Sequence, residues 1–154
     1  NGKRPEMTFL DIKAAYDSVH RGILWDKLVA KGVPKPHLKM LTELFDFNQS
    51  RVIVGGLSSR QFHLRAGLLQ GSILSPLLYS AFVDALADRL NPMADVEMGG
   101  VKVAAFFYAD DIALISDSSR KMQDLLDCCV EYAREHHFRF NVNKCEAMVD
   151  FDHR

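Results

Sequence analysis

Tyr108-Ala109-Asp110-Asp111 sets two adjacent carboxylates between two apolar runs, Val103 to Phe107 before them and Ile112 to Ile115 after. Segments of that length, rich in β-branched and aromatic residues, read as paired strands of a core. The two aspartates then stand at the tip of a hairpin. Charge held near a core is costly unless it is paired or bound to metal. A cation removes that cost, and an all-oxygen set of this kind suits Mg²⁺. The plain alternative is a polar turn, since Asp is a common turn residue.

Working outward, the first partner for this pair is Asp11, near the end of the apolar strand read over Met7 to Ile12. If that strand lies beside the hairpin, Asp11 and Asp110 face one another across the sheet edge. Two carboxylates from separate strands can hold two metal ions about 3.5–4 Å apart, the arrangement used for in-line phosphoryl displacement. The competing role for Asp11 is to cap the helix that follows it. A second constellation runs from Arg65 to Pro76. Gly67 and Gly71 allow close backbone approach, and Gln70 and Ser72 offer polar groups just before a helix N-terminus, where anions are favoured. Taken alone this is a modest signal, because Gly-containing loops that lead into helices are common.

Between these segments the periodicity predicts a helix over Val19 to Lys31, with Ile23, Leu24, Leu28 and Val29 inward, Asp17 or Ser18 as N-cap and Gly32 as the stop. A second helix begins near Pro36 and carries Leu38, Leu41, Leu44 and Phe45. Arg51 to Gly56 and Gln61 to Leu64 read as two strands of a hairpin joined by a short polar link. After Ser72 comes a long helix with Ile73, Leu74, Leu77, Leu78, Phe82, Val83, Leu86 and Leu90 on one face and Pro76 in its first turn. Ser118 caps a helix that reaches about His136, with Met122, Leu125, Leu126, Cys129 and Ala133 inward. The His136-His137 pair reads as its polar end, and Phe138 to Phe151 as one or two further strands. Strands from distant segments with helices between them imply an α+β sandwich.

The 154 residues support one domain with a sizeable core, and 48% hydrophobic with 25% charged residues is an ordinary globular composition. No apolar run reaches the length of a membrane span, so no membrane partner is expected. The N-terminal residues resemble neither a signal nor a transit peptide, and the abrupt start reads as the edge of a piece cut from something longer. Three cysteines, two of them adjacent, form neither a disulfide framework nor a metal-ligand spacing. The expected setting is a reducing compartment, nuclear or cytoplasmic. A net charge of −1 argues against a dedicated nucleic-acid binder. Its distribution is uneven: residues 1–65 hold eleven Lys/Arg against six Asp/Glu, and residues 66–154 eight against fourteen. That is the pattern of a basic face beside an acidic centre, although solvated helix faces give much the same count.

Together the segments resemble the palm of a reverse transcriptase, of the branch found in non-long-terminal-repeat retrotransposons and group II introns. Phe9 to Asp17 is similar to the first palm motif of that family, Leu69 to Leu78 to the second, Tyr108 to Asp111 to the third, and Asn141-Val142-Asn143-Lys144 to the fourth. They occur in family order and cover nearly the whole chain. The long interval between Asp11 and Gly71 favours this branch over the retroviral one.

The resemblance implies a polymerase palm, an antiparallel sheet packed on helices around an RRM/ferredoxin-like core, with part of the fingers over about residues 17–65. It implies two Mg²⁺ ions (Mn²⁺ as a substitute) on Asp11 and Asp110, with Asp111 auxiliary and the Ile12 carbonyl completing a shell. Ala14, Ala15 and Tyr16 would bound the nucleotide, Tyr16 lying under the sugar and excluding a 2′-hydroxyl. Gln70 and Gly71 would meet the nascent base pair, and Lys144 would stand near the leaving group as a general acid or be a solvated lysine. Ser72 and Tyr108 fall to the nucleic acid by position, as do Arg51 and Arg65 by charge. Implied partners are an RNA template, a DNA primer, deoxynucleoside triphosphates and the upstream fingers and thumb of a parent protein. The reaction is then RNA-templated DNA synthesis within a longer polyprotein. The alternative is a catalytically silent palm kept as a scaffold subunit of a larger complex.

Overall fold

The structure, a computed structural model, describes residues 5–149. In chain order the elements are β1 (Glu6–Asp11), α1 (Ala15–Ser18), α2 (Arg21–Ala30), α3 (Lys35–Asp46), β2 (Gln49–Ser50), β3 (Ile53–Val54), β4 (Leu57–Ser58), β5 (Phe62–His63), α4 (Ser75–Leu90), a 3₁₀ turn (Asn91–Met93), β6 (Val96–Met98), β7 (Val101–Val103), β8 (Ala105–Tyr108), β9 (Asp111–Ser116), α5 (Ser119–Glu135) and β10 (Glu146–Met148). They fall into two compact units. One is built from the chain up to Ala15 and from Val83 onward, the other from Tyr16–Phe82.

The first unit is organised by a four-stranded antiparallel sheet in the order β10-β1-β9-β8. Side chains of β1 alternate, so Thr8 and Leu10 are buried while Phe9 between them faces out. In β9, Ile112, Leu114 and Ile115 are buried, and α5 packs on β9 and β1. The α5 stripe is Met122, Leu125, Cys129, Tyr132 and Ala133, at the spacing of one helical face. Burying each large aliphatic side chain of this core contributes about 1.5–3 kcal/mol. Ser118 caps α5 by accepting from the Lys121 amide at 3.4 Å. His136, expected to be a polar end, is instead buried, stacked on the Tyr132 ring at 3.8 Å, with Nδ1 2.8 Å from the Tyr132 carbonyl. The hairpin β6–β7 ahead of β8 was not expected from the sequence pattern. Past α5, Phe140 bridges Ile12, and β10 pairs with β1. Phe151 lies outside the described residues.

In the second unit α2 packs on α3. Its N-cap is His20, whose Nδ1 accepts from the Ile23 amide at 3.3 Å, because α1 already takes up Asp17 and Ser18. Leu24 and Leu28 are inward as expected, whereas Val29 is exposed. On α3 only Phe45 is fully buried, and Leu44 is half exposed. The segment after α3 is a ribbon of two nested antiparallel pairs, β2–β5 outside and β3–β4 inside. The chain therefore turns at Gly55-Gly56, not in the polar link after it. Both glycines have positive φ, 56° and 80°, and two adjacent residues of that kind make the tight turn that suits strand twist. Helix α4 starts at Ser75, so Ile73 precedes it and is 92% exposed, and Leu77 is exposed as well.

Candidate active site

Asp11 is the last residue of β1 and Asp111 the first of β9, and the antiparallel register sets them directly opposite each other. Asp110 stands one residue earlier, in the two-residue turn that joins the Tyr108–Asp111 pair of β8 and β9. The register partner of Asp11 is thus Asp111, whereas the sequence reading sets Asp11 against Asp110. The turn is achieved by Ala109 at φ 52°. A positive φ at the first central residue is normally a glycine's place in a type II′ turn. An alanine there holds strain of about 1–2 kcal/mol beside the aspartates. Ala14, just past Asp11, is also at positive φ, 50°.

The end of β1 is pinned by the segment after α5. The Asn141 amide donates to the Asp11 carbonyl at 2.8 Å and the Lys144 amide to the Asn141 carbonyl at 2.8 Å. That turn brings Lys144 Nζ to 3.5 Å from Asp11 Oδ1. The Asp11 side chain is 20% exposed and that of Lys144 67%, so the pair is worth at most about 1 kcal/mol. Asp11, Asp111 and Lys144 line one cleft of about 520 Å³ together with Phe9, Phe106 and Tyr108. Tyr108 is 82% exposed, its ring open to solvent at the rim.

Two carboxylates directly opposite on neighbouring strands repel and destabilise the sheet end. One ammonium on Asp11 offsets part of that. The remaining donors are all oxygens, a set whose chemistry fits a hard divalent cation. Among the described residues no three Asp, Glu, His or Cys side chains converge on one point. Ile12 is buried and bridged to Phe140.

The second unit holds its own cleft, of about 370 Å³, lined by Tyr16, Gln70, Gly71, Ser72, Ser75 and Pro76. Tyr16 from α1 stacks on the buried Tyr79 ring of α4, centroids 5.0 Å apart and planes 19° from parallel. The loop after β5 is laced to α1 and the residue that follows it: the Leu68 amide donates to the Tyr16 carbonyl at 2.8 Å and the Gly67 amide to the Val19 carbonyl at 2.9 Å. Gln70 Nε2 lies 3.4 Å from both carboxylate oxygens of Asp17. Gly67 sits at φ 80° with no room for a Cβ, which would meet Asp17 Cα and carbonyl oxygen at 2.9 Å. Ala15 is buried, while Arg51 and Arg65 are exposed and line neither cleft.

Two contributors were not anticipated. Arg21 is 7% exposed and donates to carbonyls of Gly67 (2.8 Å), Phe45 (3.0 Å), Leu64 (2.6 Å) and Ala66 (3.3 Å), fixing the approach to the Gln70 loop. Burial lowers its pKa, and Asp46 partly opposes this. Its place on one stripe with Leu24 and Leu28 was a legible signal. Tyr79, the floor beneath Tyr16, lies on the buried face of α4, where its ring could have been anticipated but its partner could not.

A family model described as reverse transcriptase (RNA-dependent DNA polymerase) matches residues 1–152. The chain is 34% identical over 154 residues to the RNA-directed DNA polymerase from mobile element jockey of Drosophila melanogaster, covering 95% of this chain and 16% of that protein. It is 28% identical to the polyprotein of the type-2 retrotransposable element R2DM of the same species (88% and 13% covered). It is 27% identical to that of a type-1 retrotransposable element R2 of Popillia japonica (96% and 25%). The chain therefore spans a quarter or less of these relatives' length. Among solved structures, telomerase from Candida tropicalis in complex with a fragment of telomeric RNA superposes with a TM-score of 0.74 at 12% identity, over 94% of this chain and 26% of that one. The apo enzyme gives 0.73. At such identity the likeness is one of fold, the α+β palm.

Proposed function

Since the chain belongs to the reverse transcriptase family, we propose that it supplies the catalytic palm of an RNA-directed DNA polymerase within a longer polyprotein, acting by two-metal nucleotidyl transfer. The observation that carries this reading is the in-register opposition of Asp11 and Asp111 beside the Asp110 turn, with the Lys144 ammonium against Asp11. Asp11 and Asp110 would hold Mg²⁺, or Mn²⁺ in its place, with Asp111 and the Ile12 carbonyl in support. Bound there, the ions supply charge neutralisation on the triphosphate and a lowered pKa for the attacking hydroxyl.

The chain's own residues do the rest. Tyr16, held flat by Tyr79, gives a rigid wall against which a deoxyribose packs and a 2′-hydroxyl collides. Gln70 and Gly71 border the same cleft and meet the base pair being formed. Lys144, mostly exposed and bound to Asp11 only weakly, presents a protonated amine to developing negative charge on the leaving group. Partners of the reaction are an RNA template, a DNA primer and deoxynucleoside triphosphates.

Primer extension on an RNA template tests this. Asp110→Asn and Asp11→Asn are each expected to lower the Mg²⁺-dependent rate by at least about 10²-fold, with template binding retained. Unchanged extension by Asp110→Asn would overturn the assignment, and extension by this palm would rule out the scaffold alternative.

A further inference from the structure

Between Asn48 and Ala66 the chain carries Arg51, Arg60, Arg65 and His63 and no Asp or Glu. Within that span the inner hairpin β3–β4 turns its apolar side chains outward: Ile53 is 61% exposed, Val54 70% and Leu57 80%. A contiguous apolar tip on a small unit marks an interaction site more often than chance exposure. The tip is slender. A Cβ built on Gly55 or Gly56 would meet nothing within 4 Å, and two paired strands are only about 5 Å apart.

The stem fixes what surrounds the tip. The Val52 amide donates to Ser59 Oγ at 2.9 Å, and the Ser59 amide donates to the Val52 carbonyl at 2.9 Å. That pair closes the ladder, and Arg51 and Arg60, both exposed, are the next residues along the two strands. Among the described residues neither arginine, nor Arg65, has an acidic partner. A thin apolar tip between unneutralised guanidiniums is complementary to a polyanion that also presents flat apolar faces. Nucleic acid is that partner. Apolar side chains wedge against base steps, and arginines take the flanking phosphates.

We propose that the β3–β4 hairpin is a nucleic-acid wedge: Ile53, Val54 and Leu57 pack on base faces where single strand meets duplex, and Arg51 and Arg60 hold the phosphates on either side. This rests on the polymerase reading only in taking the bound nucleic acid to be a template with its primer.

The probe is a fluorescein-labelled RNA–DNA duplex with a 5′ RNA overhang and 2-aminopurine at the junction, read by anisotropy and by 2-aminopurine emission. Ile53→Thr/Leu57→Thr places a β-branched, strand-compatible residue at both exposed positions, and melting by circular dichroism checks its fold. It is expected to weaken binding about 5- to 30-fold and to abolish the emission change while leaving the salt slope intact. Arg51→Gln/Arg60→Gln should weaken binding and reduce the slope of log K against log salt by about two, and carries the test by itself if the first variant does not fold. Binding and emission unchanged from the parent in the variants overturn the wedge. So does loss of self-association, or of phosphatidylserine-vesicle binding, with duplex binding intact. A parent that binds the duplex, with hairpin variants indistinguishable from it and Asp110→Asn inactive, overturns the wedge alone and leaves the active-site reading standing.

Discussion

Replacing Gly67 by alanine probes how the loop between β5 and α4 is built. Gly67 and Gly71 have nearly the same backbone, φ 80° and 83°, and flank the same short loop. They differ in what a methyl would meet: nothing within 4 Å at Gly71, but Asp17 Cα and carbonyl oxygen at 2.9 Å and the Tyr16 carbonyl at 3.1 Å at Gly67. Those atoms are backbone and cannot swing aside. The left-handed conformation costs an alanine about 1 kcal/mol or more at either site, and reduced freedom of the unfolded chain returns roughly 0.4–1 kcal/mol. Gly71→Ala should therefore change stability by about 1 kcal/mol or less. Gly67→Ala adds overpacking of roughly 1–3 kcal/mol, a further drop in melting temperature of about 2–12 °C for a chain of this size. Paired thermal and urea unfolding of the two variants measures the difference. Because Leu68 and Gly67 are hydrogen-bonded to the segment that carries Tyr16, the proposed polymerase function adds a second expectation, a raised KM for deoxynucleotide in Gly67→Ala. Equal stability of the two variants, within about 0.5 kcal/mol, refutes the steric account.

Arg21→Lys removes the planar fork that serves four carbonyls and should cost roughly 2–4 kcal/mol, read as a lower urea midpoint; a loss under 1 kcal/mol would show that the carbonyls find other partners. Burial raises the Asp95 pKa, but its contacts with Asp117, Ser116 and Lys121 outweigh this, and the net value lies below the ordinary 3.8. Its contribution is thus complete above that value and disappears as pH falls through the lower folded pKa. Asp95→Asn should be less stable than the parent by about 1–2 kcal/mol at pH 7, with the two curves converging in acid. A gap independent of pH would refute this. Burial, with Cys128 adjacent, pushes the Cys129 thiol up to about 12, so at pH 8 Cys129 should be alkylated no faster than the protein unfolds. Peptide mapping that finds it labelled as fast as Cys145 would contradict its burial.

The strands around Asp11 and Asp110-Asp111, the α5 stripe, its Ser118 cap and the Gly-containing loop before α4 are all legible in the chain, since each is written in local periodicity or turn chemistry. The ribbon after α3 was misread because a Gly-Gly turn inside an apolar run looks like the end of a strand until its partner is known. Ile73 and Leu77 share the apolar face of the pattern yet are exposed, because periodicity reports a face but not which of its residues another element covers. The stripe that Arg21 shares with Leu24 and Leu28 is legible in the chain, but the four carbonyls from separate segments that it serves are brought together only by the fold.

By itself the sequence determined the residue types: carboxylates at the ends of two apolar strands, an aromatic after the first, a Gln-Gly loop and a lysine behind a helix. Only the tertiary structure decided who faces whom. Strand register sets Asp11 against Asp111 and leaves Asp110 in the turn, stacking on Tyr79 gives Tyr16 its orientation, and the Asn141 turn lays Lys144 on Asp11. Residue type and spacing are properties of the chain, but opposition across a sheet depends on hydrogen-bond register, and one residue of slip exchanges the two aspartates.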